Sequence, residues 1–314
     1  MRILIAGGFG FVGGRLAVHM AQAGHTIVLG SRYAISPPAW LPQADVVQML
    51  WDDAEMLKRV CHGIDVVVQA AGMNAQGCTA DPVAAMAFNG LATARLVEAA
   101  GRSRVERFVY LSTAHVYAST LAGTIIEETC PRNLHPYAIS HLAGEHAVLC
   151  ADQCGCIQGA VLRLSNAFGA PVRKEADCWM LLFNDLCRQV VTSGRIVLRS
   201  DGLQHRDFVP ITDVCNAIDH VLRLPCDKFS GQTYNVGGDW SPSVFDVASL
   251  IAERYGDIAG VYPVISRLDP EGHLHAGLHY STERLSDTGF RLTCDRIDEL
   301  DELIRFCETS FGGG

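Results

Sequence analysis

The sequence has no apolar run near the roughly 20 residues that a membrane-spanning helix requires. It also has no run of Lys or Arg, and its 314 residues carry a formal net charge of -9. Nucleic acids and anionic membrane surfaces attract basic patches, so neither is expected as a main partner. Met1 and Arg2 lead directly into a short apolar run followed by glycines, which is not the pattern of a signal peptide. These absences predict a cytoplasmic protein.

The twelve cysteines follow no pattern of a disulfide framework or a metal site. Disulfide frameworks belong to short secreted chains, whereas this chain is long. Its one tight cluster is Cys150, Cys154 and Cys156, and the sequence contains no CxxC pair that would complete a zinc site. We therefore predict free thiols, buried in the case of this cluster, and no bound metal.

A glycine-rich segment follows the first predicted strand. Residues 3–6 are predicted to form a buried parallel strand, and Gly7, Gly10 and Gly13 follow before an amphipathic helix. Glycines at these positions allow a tight turn, a close approach of the backbone to a pyrophosphate, and close packing of helix on strand. The N–H groups at the helix N-terminus then hold the anion. This order of strand, turn and helix predicts a dinucleotide site.

The end of the second predicted strand lacks the acid that contacts the ribose in NAD sites. Such an acid usually stands about 20 residues after the glycines, yet no Asp or Glu occurs between Gly13 and Asp45. Ser31 and Arg32 follow the strand instead, and they offer a hydroxyl and a guanidinium to a 2′-phosphate. The sequence therefore favours NADP over NAD. Asp52, after the third strand, is placed to accept a hydrogen bond from the adenine amino group.

Strands and helices alternate along most of the chain, which predicts an α/β protein with a Rossmann-type, doubly wound parallel sheet. We predict a dinucleotide-binding domain over residues 1–170 with returning segments near 205–240, and a smaller C-terminal substrate-binding lobe over most of 171–314. The predicted strands of the domain are 3–6, 26–29, 45–50, 65–71, 107–112 and 160–164. The predicted helices include 82–101, 137–148, 179–189, 211–224, 243–254 and 297–307.

Polar residues stand where two of these strands end. Ligands of such sheets bind beyond the carboxyl ends of the strands, where Gly72 follows the fourth strand and Ser112 and Thr113 end the fifth. Tyr137 and His141 are four residues apart on a predicted helix, so their side chains share one face. This spacing occurs by chance in many proteins, so it indicates a function only in combination with the other motifs.

Together these motifs resemble the extended short-chain dehydrogenases/reductases, the family of nucleotide-sugar epimerases, dehydratases and reductases. The resemblance covers nearly the whole length, and the order and spacing of the motifs carry it. The matching positions are Gly7, Gly10, Gly13, residues 65–71 of the fourth strand, Asn89, Gly90, Thr93, Ser112, Thr113, Val116, Tyr117, Tyr137, Ser140, Glu145, Arg163, Asn166, Gly169, Pro171, Arg206, Asp207, Phe208, Val209, Asp213, Val214, Asn235 and Gly237.

The resemblance implies roles for individual residues. Tyr137 matches the catalytic tyrosine, which exchanges a proton with the substrate oxygen while hydride moves to or from the nicotinamide. Thr113 matches the Ser or Thr that hydrogen-bonds the same oxygen. Asn166 matches a substrate-loop position, and Arg206 matches an arginine that commonly contacts the diphosphate of a nucleotide sugar. The implied cofactor-binding residues are Gly7, Gly10, Phe11, Val12, Gly13, Ser31, Arg32, Asp52, Ala70, Ala71, Gly72, Asn89, Ser112, Tyr137 and His141.

His141 departs from the family, which has a catalytic lysine at this position. That lysine holds the nicotinamide ribose, and its charge lowers the pKa of the tyrosine. An imidazole with an ordinary pKa near 6.5 is only about a quarter protonated at pH 7, so His141 replaces the hydrogen bond better than the charge. Reduction needs Tyr137 as an acid and oxidation needs it as a base. We therefore predict an NADP-dependent reductase of a nucleotide-linked keto sugar, with Tyr137 as the proton donor.

Three other functions agree with the sequence, and one of them is the reduction of a ketone that is not a sugar, since the resemblance includes such enzymes with an arginine after the second strand. An NAD(P)-dependent nucleotide-sugar epimerase would keep its cofactor bound, and a cofactor-binding protein with an impaired site would bind without efficient catalysis. Dehydration is disfavoured, because Ala114 and His115 follow Thr113 where dehydratases often have Asp-Glu. The resemblance also implies a homodimer through the helices that contain Asn89 and Tyr137. The apolar residues offered by those helices are Leu91, Leu96, Leu142 and Val148.

Overall fold

The structure, a computed structural model, describes residues 1–269 and 276–312. Its strands are β1 (Arg2–Ala6), β2 (Thr26–Ser31), β3 (Asp45–Gln48), β4 (Val66–Gln69), β5 (Arg107–Thr113), β6 (Gly123–Ile125), β7 (Gln158–Leu164), β8 (Asn166–Phe168), β9 (Arg195–Val197), β10 (Phe208–Pro210), β11 (Gln232–Val236), β12 (Val264–Ser266) and β13 (Leu278–Tyr280). Seven of them form one parallel sheet in the order β11-β7-β5-β4-β1-β2-β3.

The helices are α1 (Phe11–Gln22), α2 (Ala54–Cys61), α3 (Ala75–Ala80), α4 (Pro82–Ala85), α5 (Ala92–Arg102), α6 (Pro136–Gln153), α7 (Leu182–Ser193), α8 (Ile211–Leu222), α9 (Cys226–Phe229), α10 (Val244–Ala259), α11 (Glu283–Ser286) and α12 (Arg296–Phe311). A π-helical turn (Met86–Leu91) joins α4 to α5, and a short 3-10 turn (Ala114–Val116) follows β5. Within residues 1–269 and 276–312, no helix has the length and apolar character needed to cross a membrane.

Helices bury both faces of the main sheet. Ile3 in β1 faces one apolar core, which it shares with Leu16 of α1 and Ile218 of α8. Its neighbour Leu4 faces a second core with Leu57 of α2, because successive side chains of a strand point to opposite faces. Strands buried on both faces are apolar throughout, and this continuous apolar character is the pattern seen in the sequence. The predicted α/β class with a doubly wound parallel sheet is confirmed.

The strand order places a crevice above β1. This strand pairs with β2 on one side and with β4 on the other, so the chain winds outwards from it in both directions. In open α/β sheets the ligand binds at this point, beyond the carboxyl ends of the strands. The glycine turn after β1 and the residues after β4 therefore face the same crevice.

A separate apolar cluster stabilises the part of the chain after β7. It joins α7, α10 and α12 to the parallel pair of β8 and β10. Phe168 and Phe183 stack in this cluster with ring centroids 4.2 Å apart. The cluster fixes β8, which begins at Asn166, and β10, which begins directly after Arg206 and Asp207.

Two predicted helices differ from the observed ones in continuity or by more than one residue at their start, whereas α6, α10 and α12 extend beyond their predicted ends. The helix predicted over 82–101 is interrupted by the π-helical turn, which carries buried Asn89 and Gly90. The helix predicted from Trp179 begins at Leu182 instead. Turns precede it because the Trp179 indole donates to the carbonyl of Lys174 at 2.7 Å and its ring packs on Phe311.

The prediction of buried thiols in the cysteine cluster is wrong. Cys150, Cys154 and Cys156 are exposed at the end of α6 and in the turn that follows it. This turn lies at the protein surface, and no other described element covers the thiols. Like the other cysteines, all three are free. Among the described residues, no group of three or more His, Cys, Asp or Glu side chains is arranged to hold a metal ion.

Candidate active site

Helix α6 places Tyr137 and His141 together. Pro136 occupies the first helical position, where its missing N–H costs nothing, and the ring of His135 accepts a hydrogen bond from the Tyr137 N–H at 3.2 Å. Tyr137 therefore lies in the first turn and His141 one turn later. Their rings meet edge to face with centroids 4.5 Å apart, as the four-residue spacing predicts.

Tyr137 is held in its protonated form. Burial is the largest influence and raises its pKa to about 12, although a hydrogen bond with Thr113 acts in the opposite direction. Thr113 ends β5 and is itself buried. The phenol and the threonine hydroxyl are thus paired at the end of a central strand, and Tyr137 carries its proton throughout the neutral pH range.

His141 is held in its neutral form. Burial, with a smaller contribution from the nearby His115, lowers its pKa to about 4. The Nδ1 atom lies 3.0 Å from the hydroxyl of Tyr110. A Cβ built on Gly72 would lie 3.6 Å from Nε2, so this atom faces the crevice end of β4. His141 consequently supplies no positive charge to Tyr137 at neutral pH.

A buried ion pair lies behind Thr113. Glu145 is fully buried and pairs with Arg163 at 2.6 Å. The hydroxyl of Ser112 donates to the same carboxylate at 2.5 Å. Ser112, for which the sequence predicts a cofactor contact, is therefore turned into the protein and does not line the cofactor crevice. This network fixes the carboxyl end of strand β5 against helix α6.

The crevice above β1 and β4 has a volume of about 750 Å³. Eight of the predicted cofactor residues line it, namely Gly7, Gly10, Ser31, Arg32, Asp52, Ala70, Ala71 and Gly72. Gly7 has a φ of +84°, and a Cβ there would lie 2.7 Å from the backbone nitrogen of Ala71. This close approach of two backbones, beside the N-terminus of α1, fits a dinucleotide pyrophosphate.

Other predicted cofactor residues lie beside the crevice. Phe11 packs in the core and Val12 lies against it. A Cβ on Gly13 would collide with the carbonyl of Gly7, so this glycine permits close packing of α1 on the turn. Asn89 is buried, accepts from the Met73 N–H at 2.7 Å and so holds the segment after β4. These residues shape the crevice and do not form its walls.

The far end of the crevice contains Ser31 and Arg32. The Ser31 hydroxyl accepts from the N–H of Tyr33 at 3.1 Å. The guanidinium of Arg32 lies over the Tyr33 ring at 5.8 Å, and across residues 1–269 and 276–312 it pairs with no carboxylate. Asp52 is mostly exposed and pairs with Arg95, a partner that the sequence did not indicate.

The segment after β8 supplies crevice residues that the sequence did not predict. Arg173, Glu175 and Asp177 line the crevice beside the glycine turn. The Arg173 guanidinium lies 5.9 Å from the ring centroid of Phe9, and Asp177 accepts from Asn74 at 2.6 Å. No motif marks these positions, since the contacts join residues about a hundred or more positions apart in the chain.

A second cavity of about 510 Å³ is lined by two of the three predicted substrate residues, Asn166 and Arg206, but not by Thr113. Arg206 lines it, burial lowers the pKa of its guanidinium, and that group has no hydrogen bond or ion pair with a described residue. Asn166 also lines it, although its amide donates to the carbonyl of Asp207 at 2.9 Å. The polar wall also contains Arg199, His115 and the carboxylates of Asp201 and Asp269, and none of these four was predicted.

Comparison with known proteins identifies the family. The model of the NAD dependent epimerase/dehydratase family matches residues 3–237. An uncharacterized UDP-glucose epimerase of Bacillus subtilis strain 168 is 28% identical over 82% of this chain and 83% of its own. A dTDP-6-deoxy-L-talose 4-dehydrogenase (NAD(P)(+)) of Kitasatospora kifunensis is 30% identical over 81% of this chain and 79% of its own.

A solved structure shows the same fold. The UDP-glucose 4-epimerase of Thermus thermophilus, crystallised with NAD, superposes with a TM-score of 0.83 over 99% of this chain and 100% of its own, at 22% identity. The family model covers well over half of the chain. The protein described here is therefore a member of the NAD dependent epimerase/dehydratase family, an enzyme family that includes nucleotide-sugar epimerases and dehydratases.

Proposed function

We propose that the protein is an NADP-dependent reductase that converts a keto group of a nucleotide-linked sugar into an alcohol. The observation that carries this proposal is the protonation state of the site. With a pKa of about 12, Tyr137 is a phenolate in only about one molecule in 10⁵ at pH 7. Reduction uses the phenol, which is fully populated, whereas oxidation uses the rare phenolate.

The reaction follows from the positions of the side chains. A bound nicotinamide dinucleotide would supply the hydride, which adds to the keto carbon. The Tyr137 hydroxyl gives its proton to the keto oxygen, and Thr113 hydrogen-bonds the same oxygen and stabilises the charge that develops there. His141 takes no proton in this scheme. Its Nε2 lies beside Gly72, where it would hold the nicotinamide ribose by a neutral hydrogen bond.

The choice of NADP rests on Arg32. This guanidinium forms no ion pair with a described residue and lies at the end of β2 within the crevice. Arginine binds phosphate through several charge-assisted hydrogen bonds. The absence of an acid at the end of β2 removes the usual partner of the ribose hydroxyls in NAD. Both features support a cofactor that carries a 2′-phosphate.

The choice of a nucleotide-linked substrate rests on Arg206. A guanidinium that is partly buried without a partner is costly unless an anion joins it. Arg199, which is exposed, lines the same cavity, together with the acids Asp201 and Asp269. Among these groups Arg206 is the partly buried guanidinium without a described partner, and so it is the one that we assign to a diphosphate. The lining of the cavity supports the assignment of residues 171–314 to a mostly substrate-binding lobe.

A nucleotide-sugar epimerase is the second candidate. The Bacillus subtilis relative, which is named as a UDP-glucose epimerase, favours it. An epimerase oxidises and then reduces the same carbon, so Tyr137 would have to act first as a base. Its raised pKa opposes that step, because the base form is scarce at neutral pH.

Two measurements on the purified protein separate these functions. Denaturation followed by chromatography shows whether a dinucleotide is retained, and stopped-flow absorbance shows whether NADPH is oxidised with nucleotide-linked keto sugars. We expect little retained cofactor and stoichiometric NADPH oxidation. Tightly retained NAD with interconversion of two sugar nucleotides would establish the epimerase. Binding of NADPH without hydride transfer to any sugar nucleotide would establish an impaired site.

A further inference from the structure

We propose that Tyr110 is a positioning residue that holds His141 in the tautomer with its proton on Nε2, so that an N–H donor faces the cofactor crevice. Tyr110 lies in β5 and is almost completely buried. Its hydroxyl is 3.0 Å from the Nδ1 atom of His141. Nothing in the spacing of Tyr137 and His141 indicates this partner, which lies on a different element.

The Tyr110 hydroxyl is a permanent hydrogen-bond donor. Burial raises its pKa well above the ordinary value, and the charge of Glu145 adds to this effect, so the phenol keeps its proton. Thr93 also interacts with this phenol, but its own proton goes to the carbonyl of Asn89 at 2.8 Å, and one of its two lone pairs accepts from Gln69 at 3.2 Å. The Nδ1 lone pair lies 3.0 Å from the Tyr110 hydroxyl and is more basic than the second lone pair of Thr93. We assign the Tyr110 proton to this Nδ1 lone pair.

The neutral imidazole has one donor and one acceptor nitrogen. When Nδ1 accepts from Tyr110, the ring proton resides on Nε2. This atom lies beside Gly72, a crevice residue, and forms no hydrogen bond with the part of the chain that the structure describes. The donor is therefore available to an acceptor that enters the crevice, as a ribose hydroxyl oxygen would.

The close approach of β5 and α6 depends on Gly144. A Cβ built on this glycine would lie 2.5 Å from the Tyr110 hydroxyl oxygen and 2.6 Å from the ring carbon that carries it. Any larger residue would displace the phenol. Gly144 stands three residues after His141, so the same turn of α6 presents the imidazole and leaves space for the group that orients it.

The consequence concerns cofactor binding, and it rests on the cofactor site proposed above. In the opposite tautomer, Nε2 would carry no proton. It could only accept a hydrogen bond from a ribose hydroxyl and could not donate one. Fixing the donor on Nε2 makes His141 equivalent to the hydrogen-bonding part of an ammonium group. Tyr110 would contribute to cofactor affinity in this way without contacting the cofactor.

The tautomer can be read directly by two-bond ¹H–¹⁵N correlation spectra of protein labelled with ¹⁵N-histidine. The His141 signal is identified by its loss in His141→Gln. Tyr110→Phe removes only the hydroxyl and keeps the ring in place. Tyr280→Phe is the matched control, because Tyr280 is equally buried but its hydroxyl bonds Asn235 and the carbonyl of Arg163. NADPH affinity is measured on the same proteins by fluorescence titration.

We expect the Nε2–H pattern for His141 in the wild type and in Tyr280→Phe. In Tyr110→Phe we expect a mixture of tautomers and NADPH affinity weaker by about twofold or more, because only the fraction with the proton on Nε2 is competent to donate to the cofactor. An Nδ1–H pattern in the wild type would overturn the proposal, as would an unchanged tautomer in Tyr110→Phe or an equal change in Tyr280→Phe. The spectra need no substrate, so the failure of sugar reduction would leave the tautomer result intact.

Discussion

The imidazole of His141 packs edge-on against the phenol of Tyr137, with ring centroids 4.5 Å apart and ring planes at 65°. A cation at this distance would favour the phenolate, whereas a neutral ring does not. Burial lowers the pKa of His141 to about 4 and raises that of Tyr137 to about 12. The pair is therefore arranged to keep a proton on Tyr137, and the predictions below follow from it and from its surroundings.

The cofactor preference is tested by Arg32→Ala. Loss of charge-assisted hydrogen bonds to a 2′-phosphate should raise the KM for NADPH by about tenfold or more, while the KM for NADH stays the same. Arg102→Ala is the control, since Arg102 is an exposed arginine paired with Glu98 on α5. Equal changes for both cofactors would show that Arg32 contacts no 2′-phosphate.

The substrate site is tested by Arg206→Ala in steady-state kinetics. Removal of a cation that meets a diphosphate should raise the KM for the nucleotide sugar by about tenfold or more and leave the KM for NADPH unchanged. Arg206→Lys keeps the charge without the forked geometry, so its KM for the nucleotide sugar should lie between those of the wild type and Arg206→Ala. An Arg206→Ala enzyme with a normal KM for the sugar nucleotide would exclude this arginine from the substrate site.

The buried ion pair is tested by Glu145→Gln in urea denaturation. Arg163 would be left as an uncompensated buried charge, so the free energy of unfolding should fall by about 3–5 kcal/mol. Glu98→Gln removes an exposed i,i+4 partner of Arg102 and should change it by about 0.5 kcal/mol or less. Similar losses in both variants would contradict the structural role assigned to Glu145.

Two of the four residues predicted to form the homodimer contact do not lie on the protein surface. Leu96 and Val148 are completely buried in the core of their own chain, and so they cannot form the interface. An apolar strip remains exposed on the same helices, and its members are Val83 at 79%, Met86 at 43%, Leu91 at 49% and Ile139 at 40% exposure.

We propose this strip as the dimer contact, because exposed apolar side chains that cluster on adjacent helices usually mark an interface. Light scattering after size exclusion should give a dimer for the wild type and a monomer for Leu91→Glu. Val261→Glu, at an exposed apolar residue between α10 and β12, should remain dimeric. A monomeric wild type would contradict the homodimer. A dimeric Leu91→Glu would show that the dimer contact lies elsewhere.

Local patterns in the sequence predict much of this site. The glycine turn, the apolar strands and the shared face of Tyr137 and His141 all depend on residues within a few positions of one another, so their spacing is sufficient. The NADP preference inferred from Ser31 and Arg32 stays a prediction, although both residues line the crevice.

The remaining features depend on contacts between distant parts of the chain. Tyr110 and His141 are 31 positions apart, and no periodic pattern indicates that β5 and α6 bring them together. The inward turn of Ser112 likewise follows from Glu145, 33 positions later. The prediction that Cys150 is buried was wrong. The apolar character of a cysteine does not show that the C-terminal end of α6 is exposed.

The most direct test of the account is the pH dependence of kcat/KM for NADPH-dependent reduction, measured in the wild type, His141→Gln and His141→Lys. Reduction uses protonated Tyr137, so activity is lost only as the pH rises through its pKa. With that pKa at about 12, the wild type and the neutral glutamine variant should each show no fall from their own maximum up to about pH 10, although loss of the His141 contact lowers the maximum of the variant. The lysine variant should lose activity at lower pH, because a nearby cation lowers the pKa of the phenol. A wild-type loss of reduction near neutral pH that His141→Lys leaves unchanged would contradict the account.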